Sequence, residues 1–380
     1  MLNSPVQRNI LLNPGPATTT DTVKYAQVVP DICPREREFG ELMRSLSADL
    51  VRVVHGDPEK FTAVLFCGSG TINIDACISS LTPPDRQILI VNNGAYSDRG
   101  REVCDAYHMD YVNLALPYDL PADPQALDAA LTANPQVAVV YACHHETGTG
   151  LLNPIRELGR VAHAHGCTFI VDTTSSYAML PISMEEDNLD FIMASAQKGL
   201  MSMTGLSFVI ARTSLLEESR SFPTRSYYTN LYMQYAFLRD KGEMHFTPPV
   251  QTIYATIQAM KEYWQEGEAA KYARHRAVYS VLRDGMEALG FRTAIRREHE
   301  AGLVVSMLYP DDPHWDFERI HDYCYARGYT IYPGKLAQQG AFRLCALGAL
   351  QPEDARSFLT VFRDALADCG VQTPMHYSIP

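Results

Sequence analysis

Lys198 stands in the stretch "SAQKGLMSMTG", directly after the apolar run "LDFIMA". A lysine at that boundary is either a solvated tether at the rim of a core or a desolvated amine whose lowered pKa makes it a nucleophile. Its neighbours Ala196 and Gly199 are small and leave space beside it. Asp172 ends another apolar run, "CTFIVD". A carboxylate carried among Phe, Ile and Val is costly to bury uncompensated, so it either caps a helix begun by "TTSSYA" or faces a cation. The tetrapeptide "GSGT", Gly68 to Thr71, follows the run "TAVLFC". At a strand-to-helix turn its free amides and two hydroxyls would cradle an anion, with glycines admitting the ligand to the backbone. It is not a Walker sequence, since no lysine follows the glycines, and an ordinary tight turn accounts for it equally well.

What could assemble these segments is the pattern around them. From about residue 62, "TAVLFC", "QILIVNN", "YVNLAL", "QVAVVYAC", "CTFIVD", "LDFIMAS" and "LSFVIAR" read as strands. Between them "TINIDACISSL", "SDRGREVCDAY" and stretches near 124–133 and 154–165 read as helices. Strands apolar on both faces and separated by helices predict an α/β fold with a mostly parallel sheet flanked by helices. Ligands in such sheets bind beyond the carboxyl ends of the strands. That edge would gather "GSGT", "NGAY", "HHETGTG", Asp172 and Lys198. After about residue 265 the pattern changes to a long helix, "FRTAI", "LVVSMLY", a helix near 315–327, "YTIYPG", "AFRLCALG" and a final helix. The expected organisation is an N-terminal arm (1–25, with "NPGP"), a large domain (26–265) and a smaller C-terminal α+β domain (266–380).

Composition narrows the setting. The 380 residues, 46% hydrophobic, can bury a large core and fit two domains. A net charge of -12 argues against nucleic acid or an anionic membrane as partner, without excluding one cationic pocket. No run approaches the roughly 20 apolar residues of a membrane span, and "MLNSPVQRNI" does not read as a signal peptide. Nine cysteines, scattered and without a CxxC pair, make disulfides and a metal centre poor readings. Reduced, mostly buried thiols in a cytoplasmic protein fit better.

An acid, an amine, an anion cradle and an aromatic on one sheet edge are what pyridoxal 5'-phosphate requires. The lysine would form a Schiff base, the acid would keep the ring nitrogen protonated, and the cradle would take the phosphate. Each pKa unit the acid adds to that nitrogen corresponds to about 1.4 kcal/mol. A longer ordered set of stretches then carries a resemblance: "LLNPGPATTT", "GSGT", "NNGAYSDR", "HHETGTGLLNPI", "FIVDTTSSYAMLPI", "SAQKG", "HFTPP", "IYPGK" and "FRLCALG", spanning residue 11 to about 349. The chain resembles fold-type-I pyridoxal-phosphate aminotransferases (aspartate-aminotransferase-like) of the alanine–glyoxylate, or class V, group. Within that group it is most similar to 2-aminoethylphosphonate–pyruvate aminotransferases.

The resemblance implies roles position by position. Lys198 becomes the Schiff-base lysine and Asp172 the partner of the ring nitrogen, while Ser69, Gly70 and Thr71 hold the phosphate. Tyr96 stacks on the ring, unless it is a core tyrosine. Thr147 bonds near the 3-hydroxyl, unless it caps its own loop, and Ser175 and Gln197 flank these groups. Thr247 of "FTPP" reaches a phosphate from the neighbouring subunit, which implies a homodimer with shared active sites. Arg343 of "FRLCALG" binds the substrate's acidic group, since its fork of donors suits carboxylate or phosphonate alike; the alternative is a surface ion pair.

Departures bear on the substrate alone. Degradative members usually carry "FRIGNIG", where this chain has Cys345, Ala346 and Leu347, and Gly148 stands where a hydroxyl residue is common. "DICPREREFGELM" resembles the branch associated with phosphonate biosynthesis; its Arg35 and Arg37 either add charge beside a phosphonate or lie on a solvated helix face. The implied activity is ping-pong transamination between 2-aminoethylphosphonate and pyruvate, in either direction. An alanine–glyoxylate or serine–pyruvate aminotransferase and a non-catalytic cofactor-binding subunit are the competing readings.

Overall fold

The computed structural model describes residues 5–334, 336 and 340–378; Lys335 of "IYPGK" lies outside them. Seven strands form the main sheet: β1 (Phe61–Gly68), β2 (Gln87–Asn92), β3 (Tyr111–Ala115), β4 (Val137–Cys143), β5 (Thr168–Asp172), β6 (Phe191–Ser195) and β7 (Gly205–Arg212). Their order is β1-β7-β6-β5-β4-β2-β3. Only β7 runs against its neighbours, pairing antiparallel with both β1 and β6. The cause is connection length: residues 196–204 are too few for the crossover of a dozen or more residues that a parallel return needs. Helices α1 (Arg37–Arg52), α2 (Thr71–Leu81), α3 (Asp98–Ala106), α4 (Pro124–Ala133) and α5 (Ile155–Ala164) cover the sheet.

Alternate residues of each strand feed separate cores, as the period of two demands. On one face Leu65, Val140, Val171 and Ile192 pack with Phe39, Met43 and Leu50 of α1. On the other, Phe66, Val139, Ile170 and Met193 pack with Ile74 and Ile78 of α2. The β5–β6 connection departs from expectation, since it is built of turns and contains no helix. Thr173, Ser175 and Ser176 compete with helical bonding through their hydroxyls, and Pro181 blocks propagation. Instead Tyr177 anchors the segment by donating to the Leu50 carbonyl at 2.6 Å.

Helix α6 (Val250–Glu266) stops at Gly267, whose φ of 80° breaks the run before α7 (Glu268–Ala288). Beyond it, β8 (Val304–Leu308), β9 (Tyr332–Pro333) and β10 (Ala341–Cys345) form an antiparallel sheet in the order β8-β10-β9. "FRTAI" lies against β8 through a single bridge, Thr293 to Met307. A third core joins Leu282 of α7, Phe342 of β10, Ile320 of α8 (Phe317–Tyr325) and Phe358 of α9 (Pro352–Cys369). Ile10 and Leu12 belong to this core as well. The N-terminal arm is therefore pinned: Ile10–Leu11 pair with Tyr329–Thr330, Thr18 bridges Gly348, and Ala17 N donates to the Gln197 carbonyl at 2.9 Å. All nine cysteines are free thiols, seven of them buried. No helix is long and apolar enough to cross a membrane among the described residues.

Candidate active site

A cavity of about 220 Å³ opens at the carboxyl edge of the sheet. Its cradle is the β1–α2 turn, where Gly70 precedes the first helical residue, Thr71, and Ser69 joins them on the wall. A Cβ on Gly70 would stand 2.9 Å from Thr174 Cγ2, so glycine is what lets the backbone pass. Arg99, in the first turn of α3, donates to Thr71 Oγ1 at 3.3 Å and lies 4.8 Å from the centroid of the Tyr96 ring. Arg99 sits inside the stretch "NNGAYSDR" but was not among the expected site residues. A basic residue three positions past the aromatic, in a helix's first turn, was the available signal. Tyr96 is half-buried on the cavity wall, which removes the core-tyrosine alternative. Its loop is held by buried Glu146, which accepts from Tyr96 N at 3.1 Å and Ser97 N at 2.6 Å.

Asp172 and Lys198 both line this cavity. Asp172 is buried, and its Oδ1 accepts from Thr174 N at 2.8 Å, so it does cap the turn that follows. It makes no ion pair among the described residues. Burial raises its pKa, opposed by the neighbouring Thr174 and by the charges of Arg99 and Lys198. Lys198 donates from Nζ to the carbonyl of Pro14 in the arm. Burial lowers its pKa to about 8; Cys345 and Asp172 resist the change, and Arg343 and Arg99 reinforce it. Half-buried and set against Pro14 and Gly15, it is placed more as a desolvated amine than as a solvated tether. Gly15 presses on the same side chain, since a Cβ there would lie 2.7 Å from Lys198 Cε. Four further atoms on the cavity wall, Thr174 Oγ1, Ser195 Oγ, Gln197 Oε1 and His145 Nε2, are buried without a hydrogen-bond partner among the described residues.

The sequence matches the family described as aminotransferase class-V over residues 22–320. It is 34% identical to 2-aminoethylphosphonate–pyruvate transaminase 1 of Burkholderia lata, over 95% of this chain and 98% of that one. Identity is also 34% to the 2-aminoethylphosphonate–pyruvate transaminase of Phocaeicola vulgatus, over 91% of this chain and 95% of the relative. The chain belongs to the class-V aminotransferases. Its fold agrees: the crystal structure of ureidoglycine–glyoxylate aminotransferase from Bacillus subtilis superposes with a TM-score of 0.88, at 19% identity, covering 98% of this chain and 96% of that one.

A class-V aminotransferase implies pyridoxal phosphate, and the residues present fit it. The cradle with Arg99 suits a phosphate, and Asp172, buried without an ion-pair partner among the described residues, suits a protonated ring nitrogen. The four orphaned polar atoms are ready to bond a polar ring; each costs about 1–3 kcal/mol while unmet. Thr147 and Ser175 are joined, Thr147 Oγ1 donating to Ser175 Oγ at 2.9 Å. Replacing Arg99 by alanine in this aminotransferase should weaken pyridoxal phosphate binding about tenfold through loss of a charge-assisted contact. Fluorescence titration of the apoenzyme would measure it; undiminished affinity would remove Arg99 from the cradle.

Two expected residues lie apart from the cavity wall. Arg343, on β10, is fully buried behind it. Its Nη2 and Nε donate to the Pro333 carbonyl at 3.0 and 3.2 Å, and Nη1 reaches Thr147 O at 3.4 Å and Tyr96 Oη at 3.5 Å. No carboxylate pairs with it among the described residues, so the surface ion pair is excluded. Thr247 is exposed and does not line this cavity. Arg37 lies exposed on the α1 face beside Glu41, at 2.8 Å. The helix-face reading fails for Arg35, which precedes α1; it pairs with Glu243 and donates to the Met244 carbonyl at 3.1 Å, bracing the segment that carries Thr247.

Proposed function

We propose that this aminotransferase exchanges an amino group between 2-aminoethylphosphonate and pyruvate, giving phosphonoacetaldehyde and alanine, with the reverse direction open to the same site. The observation that carries the reading is Arg343, a fully buried guanidinium beside the cavity whose donors, among the described residues, meet only carbonyl and hydroxyl oxygens. Such a group is poised for an anion, and the anion can be phosphonate in one half-reaction and carboxylate in the other. The names borne by the curated relatives support the phosphonate.

Bound pyridoxal phosphate supplies the electron sink that makes the substrate's amine-bearing carbon acidic. Lys198 would hold the cofactor, and its amine would move a proton at that carbon. Asp172 would keep a positive charge on the ring nitrogen, and Ser69, Gly70, Thr71 and Arg99 would fix the phosphate. Tyr96 would cover the ring face. In a homodimer Thr247 of each chain would complete the other's phosphate site, and its exposure permits that contribution.

The test is a donor panel with pyruvate as acceptor: 2-aminoethylphosphonate, its nucleotide-linked derivatives, alanine and serine. Preference for an aminophosphonate is expected. Turnover of alanine or serine with glyoxylate, and none of the phosphonates, would place the enzyme with the carboxylate-only aminotransferases. Arg343→Ala should raise KM for the anionic donor about a hundredfold, the scale of breaking a buried charge pair, with a smaller change in kcat. An unaltered KM for both substrates would assign their recognition elsewhere.

A further inference from the structure

His145 is the one imidazole on the cavity wall, and nothing above gives it a role. It is 1% exposed and belongs to the two-residue strand His145–Glu146 that pairs with Leu151–Leu152. Its Nδ1 lies 2.9 Å from Ser175 Oγ, while Nε2 is buried with no hydrogen-bond partner among the described residues. Burial, with the charges of His144 and Lys198, pushes its pKa down to about 3, so the ring is neutral and carries a single N–H. Ser175 Oγ, which accepts from Thr147, has two acceptors for its single proton: Nδ1 at 2.9 Å and the His145 carbonyl at 3.1 Å. With the nearer bond made, the donors align as Thr147 to Ser175 to Nδ1, and the single ring proton falls on Nε2.

The sheet order says what that donor meets. The phosphate cradle follows β1, Lys198 follows β6, Asp172 ends β5 and His145 follows β4, on the far side of Asp172 from the cradle. Around the pyridine ring, the phosphate arm and the 3-oxygen flank the lysine-linked carbon on opposite sides. With phosphate in the cradle and ring nitrogen at Asp172, the 3-oxygen falls on the His145 side. We propose that His145 is a cofactor-binding residue whose Nε2 donates to the anionic 3-oxygen of pyridoxal phosphate, with Ser175 fixing the tautomer. The inference rests on the cofactor assignment above and adds to it. Thr147, whose proton is committed to Ser175, then acts through that serine.

A donor to the 3-oxygen weakens that oxygen's hold on the proton it shares with the lysine nitrogen, so it lowers the pH at which the visible band titrates. The other ionisable groups at this cavity are Lys198, Asp172, Arg99, Tyr96 and Cys143, all retained in the variants below. Substrate-free holoenzyme is titrated spectrophotometrically for wild type, His145→Leu, His145→Gln and Ser175→Ala. His145→Leu should raise the midpoint by about one unit and the cofactor dissociation constant about tenfold, the scale of one hydrogen bond to a charged group. His145→Gln, whose amide nitrogen can stand near Nε2, should restore most of both. Ser175→Ala should shift the midpoint the same way by less. An unshifted midpoint in His145→Leu overturns the proposal, even with weaker binding, because a packing defect alone gives that result. If His145→Leu does not fold, an unshifted midpoint in Ser175→Ala does the same. Failure of the wild type to take up pyridoxal phosphate would instead overturn the cofactor assignment itself.

Discussion

Lys198→Ala is expected to lose turnover by about four orders of magnitude or more, since positioned proton transfer alone contributes roughly 10²–10⁴-fold and the covalent anchor goes with it. The same variant should bind pyridoxal phosphate without forming the lysine-linked visible band. Its fold should survive, because removing a desolvated cation whose one side-chain hydrogen bond among the described residues is to Pro14 relieves more than it costs. Wild-type-like activity would refute the assignment of the nucleophile. The lowered pKa adds a kinetic signature. Only the neutral amine attacks the cofactor aldehyde, and with a pKa near 8 the neutral fraction falls about tenfold per pH unit below that value. Loading of the apoenzyme should therefore accelerate from pH 6 to about 8 and then level off. An inflection near 10.5, the ordinary lysine value, would mean the amine is not desolvated.

Asp172→Asn is the second large expected effect. An amide cannot hold a proton on the ring nitrogen, and a loss of about two pKa units there, at about 1.4 kcal/mol each, predicts a hundredfold or greater fall in kcat. A cofactor analogue methylated at that nitrogen carries a fixed charge and should restore part of the rate; no restoration would argue that Asp172 acts otherwise. Stability should move the opposite way. Because burial raises the pKa of Asp172, its ionised form disfavours the folded apoenzyme once pH exceeds the unfolded value. The asparagine variant's apo form should then melt no lower than wild-type apoenzyme at neutral pH. A clearly lower melting temperature would show that the Thr174 bond outweighs desolvation.

The strands were legible because burial on both faces leaves them as unbroken apolar runs, and the sheet edge followed from their alternation with helices. The reversal of β7 was not among the expectations, although the nine residues that precede it are too few for a parallel crossover. What the sequence could not convey was contact between distant segments. Nothing local marks Pro14 and Gly15 as the cover of Lys198, nor the carbonyl of Pro333 as the seat of Arg343. Arg99 and His145 were passed over for a related reason. Their chemistry depends on where one nitrogen points, and Thr71 and Ser175, which orient those nitrogens, lie about thirty residues away.

The pinned arm carries a consequence for biosynthesis. Residues 10–18 leave the ribosome well ahead of all their docking sites, the Gln197 carbonyl coming first and 329–330 and 348 much later. The nascent chain can build its central sheet, Lys198 included, while the arm that carries Pro14 and Gly15 is tied to it at Gln197 but not yet at 329–330 or 348. A ribosome stalled before residue 329 would thus leave the cover of that amine held at one end, and translation through residue 348 supplies the contacts that hold the other.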